Sequence, residues 1–181
     1  MIRVIRTELR RSNAIALAVL LLLTGGLFIA AMAGTWRGQW LLFSYFQACA
    51  LFLMVPIALA GGAMLGRREK RTRATELIGS TGRPRWQQVT PSAVALAVAV
   101  TVVHLLMLGV GAAVIGASGG FLGVAGVLPA LVDVVVLIGA VWLGLAAGRA
   151  WSSALLPPAL AALFLVAQVG VEIAGQDSEL Y

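Results

Sequence analysis

Five apolar runs, each about twenty residues or longer, follow one another through the chain with only short connections between them. A helix needs roughly 20 apolar residues to cross a hydrocarbon core. The runs therefore predict five spans: Asn13 to Ala33, Leu41 to Leu65, Ser92 to Gly116, Phe121 to Ala147 and Ser153 to Ala174. In lipid the backbone has no water to bond to, so each run must satisfy its own N–H and C=O groups as a helix. The expected fold class is all-α, a polytopic membrane helix bundle. Composition agrees, because 61% hydrophobic residues, 11% charged residues and a mean hydropathy of +1.00 cannot be hidden in one small water-soluble core.

The charges orient the bundle. Arg3, Arg6, Arg10 and Arg11 precede the first span, and seven of the thirteen Lys+Arg residues crowd between spans two and three, from Arg67 to Arg85. Short Lys/Arg-rich segments stay on the cytoplasmic side, which predicts a cytoplasmic N-terminus and a cytoplasmic linker. The first outer loop carries only Arg37, between Trp36 and Trp40; the second, Gly116 to Gly123, has no charge; Arg149 and Trp151 mark the inside again. The tail after span five carries only acidic charges, Glu172, Asp177 and Glu179. A net charge of +6 would point to nucleic acid in a soluble chain, but here it is placed to meet anionic lipid headgroups.

The N-terminus has the outline of a secretory signal, with a basic start, an apolar stretch and a small-x-small Ala31-Met32-Ala33. Its apolar run is of full spanning length and further spans follow, so the reading is a retained first span. Before it, Ile2, Ile5 and Leu9 share one helical face, with Arg3, Arg6 and Arg10 on the other. That pattern fits a short helix lying in the inner interface, and an ordinary positive flank is the plainer alternative.

The linker is more organised than a solvated charge run requires. Ala74, Leu77 and Ile78 form an apolar stripe at helical spacing, and Glu69 stands four residues before Arg73, the favourable order for a helical pair. Gly79-Ser80-Thr81-Gly82 breaks that helix, Arg83-Pro84-Arg85-Trp86 returns the chain to the membrane, and Thr90-Pro91 reads as N-cap and first residue of span three. A short amphipathic helix is thus expected on the inside between spans two and three.

Arg68-Glu69, the segment Thr75-Glu76-Leu77-Ile78-Gly79-Ser80-Thr81, and Arg83-Pro84-Arg85 make this linker resemble that of ABC-2 type transporter permeases. Ala74 and Gly82 stand where that family has a glycine and a proline. The resemblance implies a single permease domain over 1–181: an interfacial segment 1–12, spans one and two in 13–65, a coupling linker 66–90, spans three to five in 91–174, and an outer tail 175–181. It also implies an amphipathic N-terminal helix and a cytosolic coupling helix that docks on a separate ABC ATPase subunit. Arg68, Glu69, Arg73, Glu76, Leu77, Ile78, Arg83 and Arg85 would make that contact, with Leu77 and Ile78 filling the groove. A second permease copy or a similar subunit would complete the pathway. The family has six spans, so five here imply a fragment, or half of a longer duplicated permease, with the last span following Tyr181.

A P-loop needs a lysine directly after glycine and before Ser or Thr, and the only lysine, Lys70, lies between Glu69 and Arg71. The chain is thus expected to hold no cofactor itself, with ATP and Mg bound by the partner. One His, one Cys and no clustered carboxylate in the spans give no enzyme constellation and no metal site.

Two ionisable residues, His104 and Asp133, sit deep in the hydrocarbon region, where an unpaired charge costs about 3 kcal/mol. His104 and Asp133 lie about fifteen and fourteen residues from the turn at Gly119, hence at similar depth on antiparallel neighbours. They are expected to pair, either as a structural tie between spans three and four or as a proton relay. Gln47 and Gln168 are expected to bond between helices, and the pair Gly62 and Gly66, with the scattered Gly25, Gly26, Gly109, Gly111, Gly144 and Gly148, to mark close packing, within the chain or between copies. Three functions fit: a permease subunit of an ATP-driven exporter, a proton-coupled secondary transporter using His104 and Asp133, and a non-transporting anchor or regulatory module.

Overall fold

The computed structural model describes residues 14–71, 85–121, 123, 126–151 and 153–178. Among them the chain is all helical: α1 (Ala14–Ala31), a single turn α2 (Ala33–Trp36), α3 (Trp40–Arg71), α4 (Arg85–Ala117), α5 (Val127–Ala150) and α6 (Leu156–Ser178). Four of these, α1, α3, α4 and α5, are long and apolar enough to cross a membrane, and the protein is membrane-embedded. The segment expected as a fifth span is the helix α6, but its apolar stretch Leu156–Val171 is shorter than the other four and is not of spanning length.

Three boundaries depart from expectation. The fourth span starts at Val127 rather than Phe121, because the chain after α4 makes a turn with Gly119 at φ 73°, and Phe121 pairs with Gln39 of the other loop at this end. The helix that carries the third span starts at Arg85, ahead of the span's own start at Thr90, so Thr90-Pro91 is not a helix N-terminus and Pro91 lies inside the helix. A proline there removes one helical hydrogen bond, a loss the second turn of a long helix tolerates. The helix of the second span continues beyond Leu65, the span itself reaching Arg68 and the helix Arg71, and it runs through Pro56 without a break.

The hub is α3, which touches every other helix, most extensively α5. Consecutive helices α3 and α4 scarcely meet; α4 packs instead on α5 and α1. Glycines explain the α3–α5 seam. A Cβ added at Gly62 would strike the backbone oxygen of Val141, at Gly66 that of Leu145, at Gly144 that of Leu59 and at Gly148 that of Ala63. Register rises together on both helices, so they run parallel, each presenting a small-xxx-small pair to the other's bare backbone. Lipid tails are as apolar as leucine, so helices in a bilayer associate through close packing rather than hydrophobic exclusion. The glycine pairs thus serve contact within one chain.

α1 runs antiparallel to α3, with Leu17 against Gly61 and Met54 against Gly25. The buried core gathers Leu17, Leu21, Phe43, Met54, Leu96, Val100, Leu137 and Val141, side chains from four different helices. The two loops at the end away from Arg67 and Arg149 hold each other: Gly38, at φ 78°, offers its carbonyl region to Gly120 at a distance only glycine permits. Beside them Trp36 is buried, donates from Nε1 to the Ile29 carbonyl at 2.9 Å, and packs edge-on against Phe43, which Trp40 stacks.

Candidate functional site

Gln47 on α3, His104 on α4 and Asp133 on α5 meet in the apolar interior, at 2%, 1% and 4% exposure. His104 Nε2 stands 3.1 Å from the amide nitrogen of Gln47 and 3.8 Å from Asp133 Oδ2. The first is a hydrogen-bonding distance; the second exceeds one. The expected His104–Asp133 pairing is therefore a close approach, and the direct bond goes to Gln47. With the Gln47 amide donating, His104 Nε2 accepts and the ring proton sits on Nδ1. Among the described residues His104 Nδ1 and Asp133 Oδ2 are buried without a hydrogen-bond partner. Unmet polar groups are costly in an apolar medium. The cluster therefore has an unused N–H donor on the ring, which a water could accept, and an unused carboxylate oxygen, which could take a water or a proton.

Sequence depth brought His104 and Asp133 together, and it had Gln47 bonding between helices without naming its partner. The missing information was lateral. Leu59 packs level with Gly144 and Ala63 with Gly148, and extending that parallel register along both helices brings Gln47 level with Asp133. The other amide, Gln168 on α6, has its buried Oε1 without a partner among the described residues.

At the opposite end three arginines gather. Arg67 Nη1 donates to the Ala154 carbonyl at 3.1 Å, and Arg149 Nη2 donates to Ser92 Oγ at 3.1 Å. Trp142 Nε1 donates to the Ala93 carbonyl at 3.0 Å, just inside this ring. Arg67 thereby ties the end of α3's apolar stretch to the turn before α6, and Arg149 ties the end of α5 to α4. Sequence treated Arg149 only as an orientation signal and Arg67 only as part of the basic linker, with no tie to another helix expected of either. Arg68 is exposed beside them.

Of the residues expected to contact an ATPase, Arg68, Glu69 and Arg85 lie on helices, at the last turn of α3 and the first of α4. Arg73, Glu76, Leu77, Ile78 and Arg83 lie outside the described residues, as do the amphipathic coupling helix and the interfacial segment 1–12. What is described is the frame: the linker's two ends are the basic ends of two unbroken helices, one carrying Gln47 and the other His104. No protein-family model, curated protein or solved structure matches the chain.

Proposed function

We propose that this chain is the membrane permease subunit of an ATP-driven exporter, powered by a separate ABC-type ATPase that grips the linker 66–90 from the cytoplasm. The observation that carries the reading is the continuity of α3 and α4 beyond their apolar stretches, as helices of 32 and 33 residues. At about 1.5 Å per residue each is close to 50 Å long, against a hydrocarbon core of about 30 Å. Both project to the end where Arg67, Arg68 and Arg149 gather. A partner that moved the linker would pull on rods that reach the buried polar cluster, the geometry a rigid-body coupling needs. In this scheme ATP and Mg belong to the partner, a second permease copy completes the pathway, and the basic N-terminal segment rests on anionic lipid.

A gentle detergent pull-down tests it, comparing wild type with a Glu76→Arg, Leu77→Asp double variant. Wild type is expected to bring down an ATP-binding subunit, and the variant to lose it while remaining monodisperse. Intact wild type without an ATPase would overturn the reading.

The contact of Gln47, His104 and Asp133 favours a second reading, proton-coupled secondary transport. It predicts flux that depends on pH and membrane potential and survives the linker double variant.

A further inference from the structure

A cavity of about 530 Å³ opens between α1 and α4 in the half of the bundle that holds the tight turns. That is the size of a ligand pocket. Its walls include Leu22 and Gly26 on α1 and Leu106, Val110 and Val114 on α4, and its polar boundary is Arg37. The helices are parallel here, since both run toward the end where Gly38 meets Gly120. From Leu22 to Ala30, and likewise from Leu106 to Val114, each wall is about 12 Å long. One leaflet of hydrocarbon is about 15 Å deep. The cavity is therefore a slot most of a leaflet deep, with a cation at its headgroup end.

Two further features shape it. Gly26 faces the slot, and a Cβ there would meet nothing within 4 Å, so the missing side chain leaves space rather than admitting a neighbouring helix. Arg37 is exposed, and among the described residues no hydrogen bond or ion pair engages it. It follows Trp36, which the Ile29 carbonyl and Phe43 hold in place. The Arg37 backbone is thus anchored beside Trp36, and its uncommitted side chain stands at the mouth of an apolar slot.

We propose that this slot binds one anionic phospholipid, an acyl chain lying between α1 and α4 and the phosphate on the Arg37 guanidinium. Any bilayer lipid offers an acyl chain, so the chain alone selects nothing. Selection comes from Arg37, whose planar fork donates two parallel hydrogen bonds to phosphate oxygens and favours a headgroup of net negative charge. The inference is independent of the permease reading, because it uses neither the linker nor the polar cluster.

Native mass spectrometry of the delipidated full-length protein tests it, titrating phosphatidylglycerol and phosphatidylcholine of matched chains. Wild type is expected to take up the first phosphatidylglycerol in preference. Arg37→Gln is expected to weaken that uptake about fivefold, the effect of one basic residue at an anionic headgroup, and to weaken phosphatidylcholine less, because its choline cation offsets the phosphate charge, so that the preference is lost. Gly26→Leu fills the slot and is expected to weaken both lipids. Circular dichroism and gel filtration identify folded variants, and Gly26→Ala serves in place of Gly26→Leu if the larger residue misfolds. Equal uptake of the two lipids by wild type would overturn the proposal, as would a wild-type preference retained in Arg37→Gln. A Gly26 variant with unchanged binding beside a weakened Arg37→Gln would also overturn it, by placing the lipid outside the slot.

Discussion

The two halves of the bundle join the same pair of helices by opposite means. Toward the arginine end, α3 and α5 meet glycine against backbone, at Gly62, Gly66, Gly144 and Gly148. Toward the other end, about 22 Å along α3 from Gly62, the space is filled by Gln47, Asp133 and the inserted ring of His104, under a lid of Trp36, Trp40 and Phe43. The glycine half has one geometry, because a backbone oxygen cannot step aside. Side chains in the polar half can exchange partners, since the His104 ring has Gln47 at 3.1 Å and Asp133 at 3.8 Å. One half is built to stay fixed, and the other has two arrangements within reach.

The largest expected effect is in the fixed half. Gly144→Val drives a β-branched side chain into the Leu59 carbonyl. Overpacking of this kind costs about 3 kcal/mol, and here neither helix can relieve it by a rotamer change. Mixed-micelle denaturation followed by circular dichroism is expected to show that loss; wild-type stability would mean that the seam is looser than its geometry.

The polar half should respond more weakly. A double-mutant cycle with Gln47→Leu and His104→Leu is expected to give a coupling energy of about 1 kcal/mol, the range of hydrogen bonds between membrane helices. A coupling of zero would leave the 3.1 Å contact without energetic weight and would remove the tie between α3 and α4. The smallest effect belongs to Gly109, whose absent side chain faces open space. Gly109→Ala is expected to stay within about 0.5 kcal/mol of wild type in the same assay. A large loss there would show that position, rather than backbone contact, governs the glycines.

The same contrast marks what the sequence made legible. Period and length are local properties, so the apolar runs located the membrane spans within α1, α3, α4 and α5 to within a few residues, the start of α5 excepted, and missed only the polar extensions of α3 and α4 beyond them. That start was missed because Phe121 to Gly126 is apolar enough to continue a span, while the turn at Gly119 and the pairing with Gln39 hold Phe121 out of the helix. Depth is nearly local, so counting from one turn brought His104 and Asp133 to the same level. Lateral arrangement is not local. Nothing in the order of the chain says that α5 rather than α4 lies along α3, and on that depended both the partner of Gln47 and the pairing of the glycines. The α1–α4 slot was invisible for the same reason. Arg37 read as a lone loop charge until α4 was known to stand opposite α1.

The functional account turns on the difference between the two ends, and site-specific photocrosslinking in intact cells tests it most directly. A photoreactive residue placed at Leu77 in the linker is expected to yield an adduct with an ATP-binding subunit, and the same residue at Ser118, in the far turn, is expected to yield none. No adduct from Leu77, or equal adducts from both positions, would contradict the account.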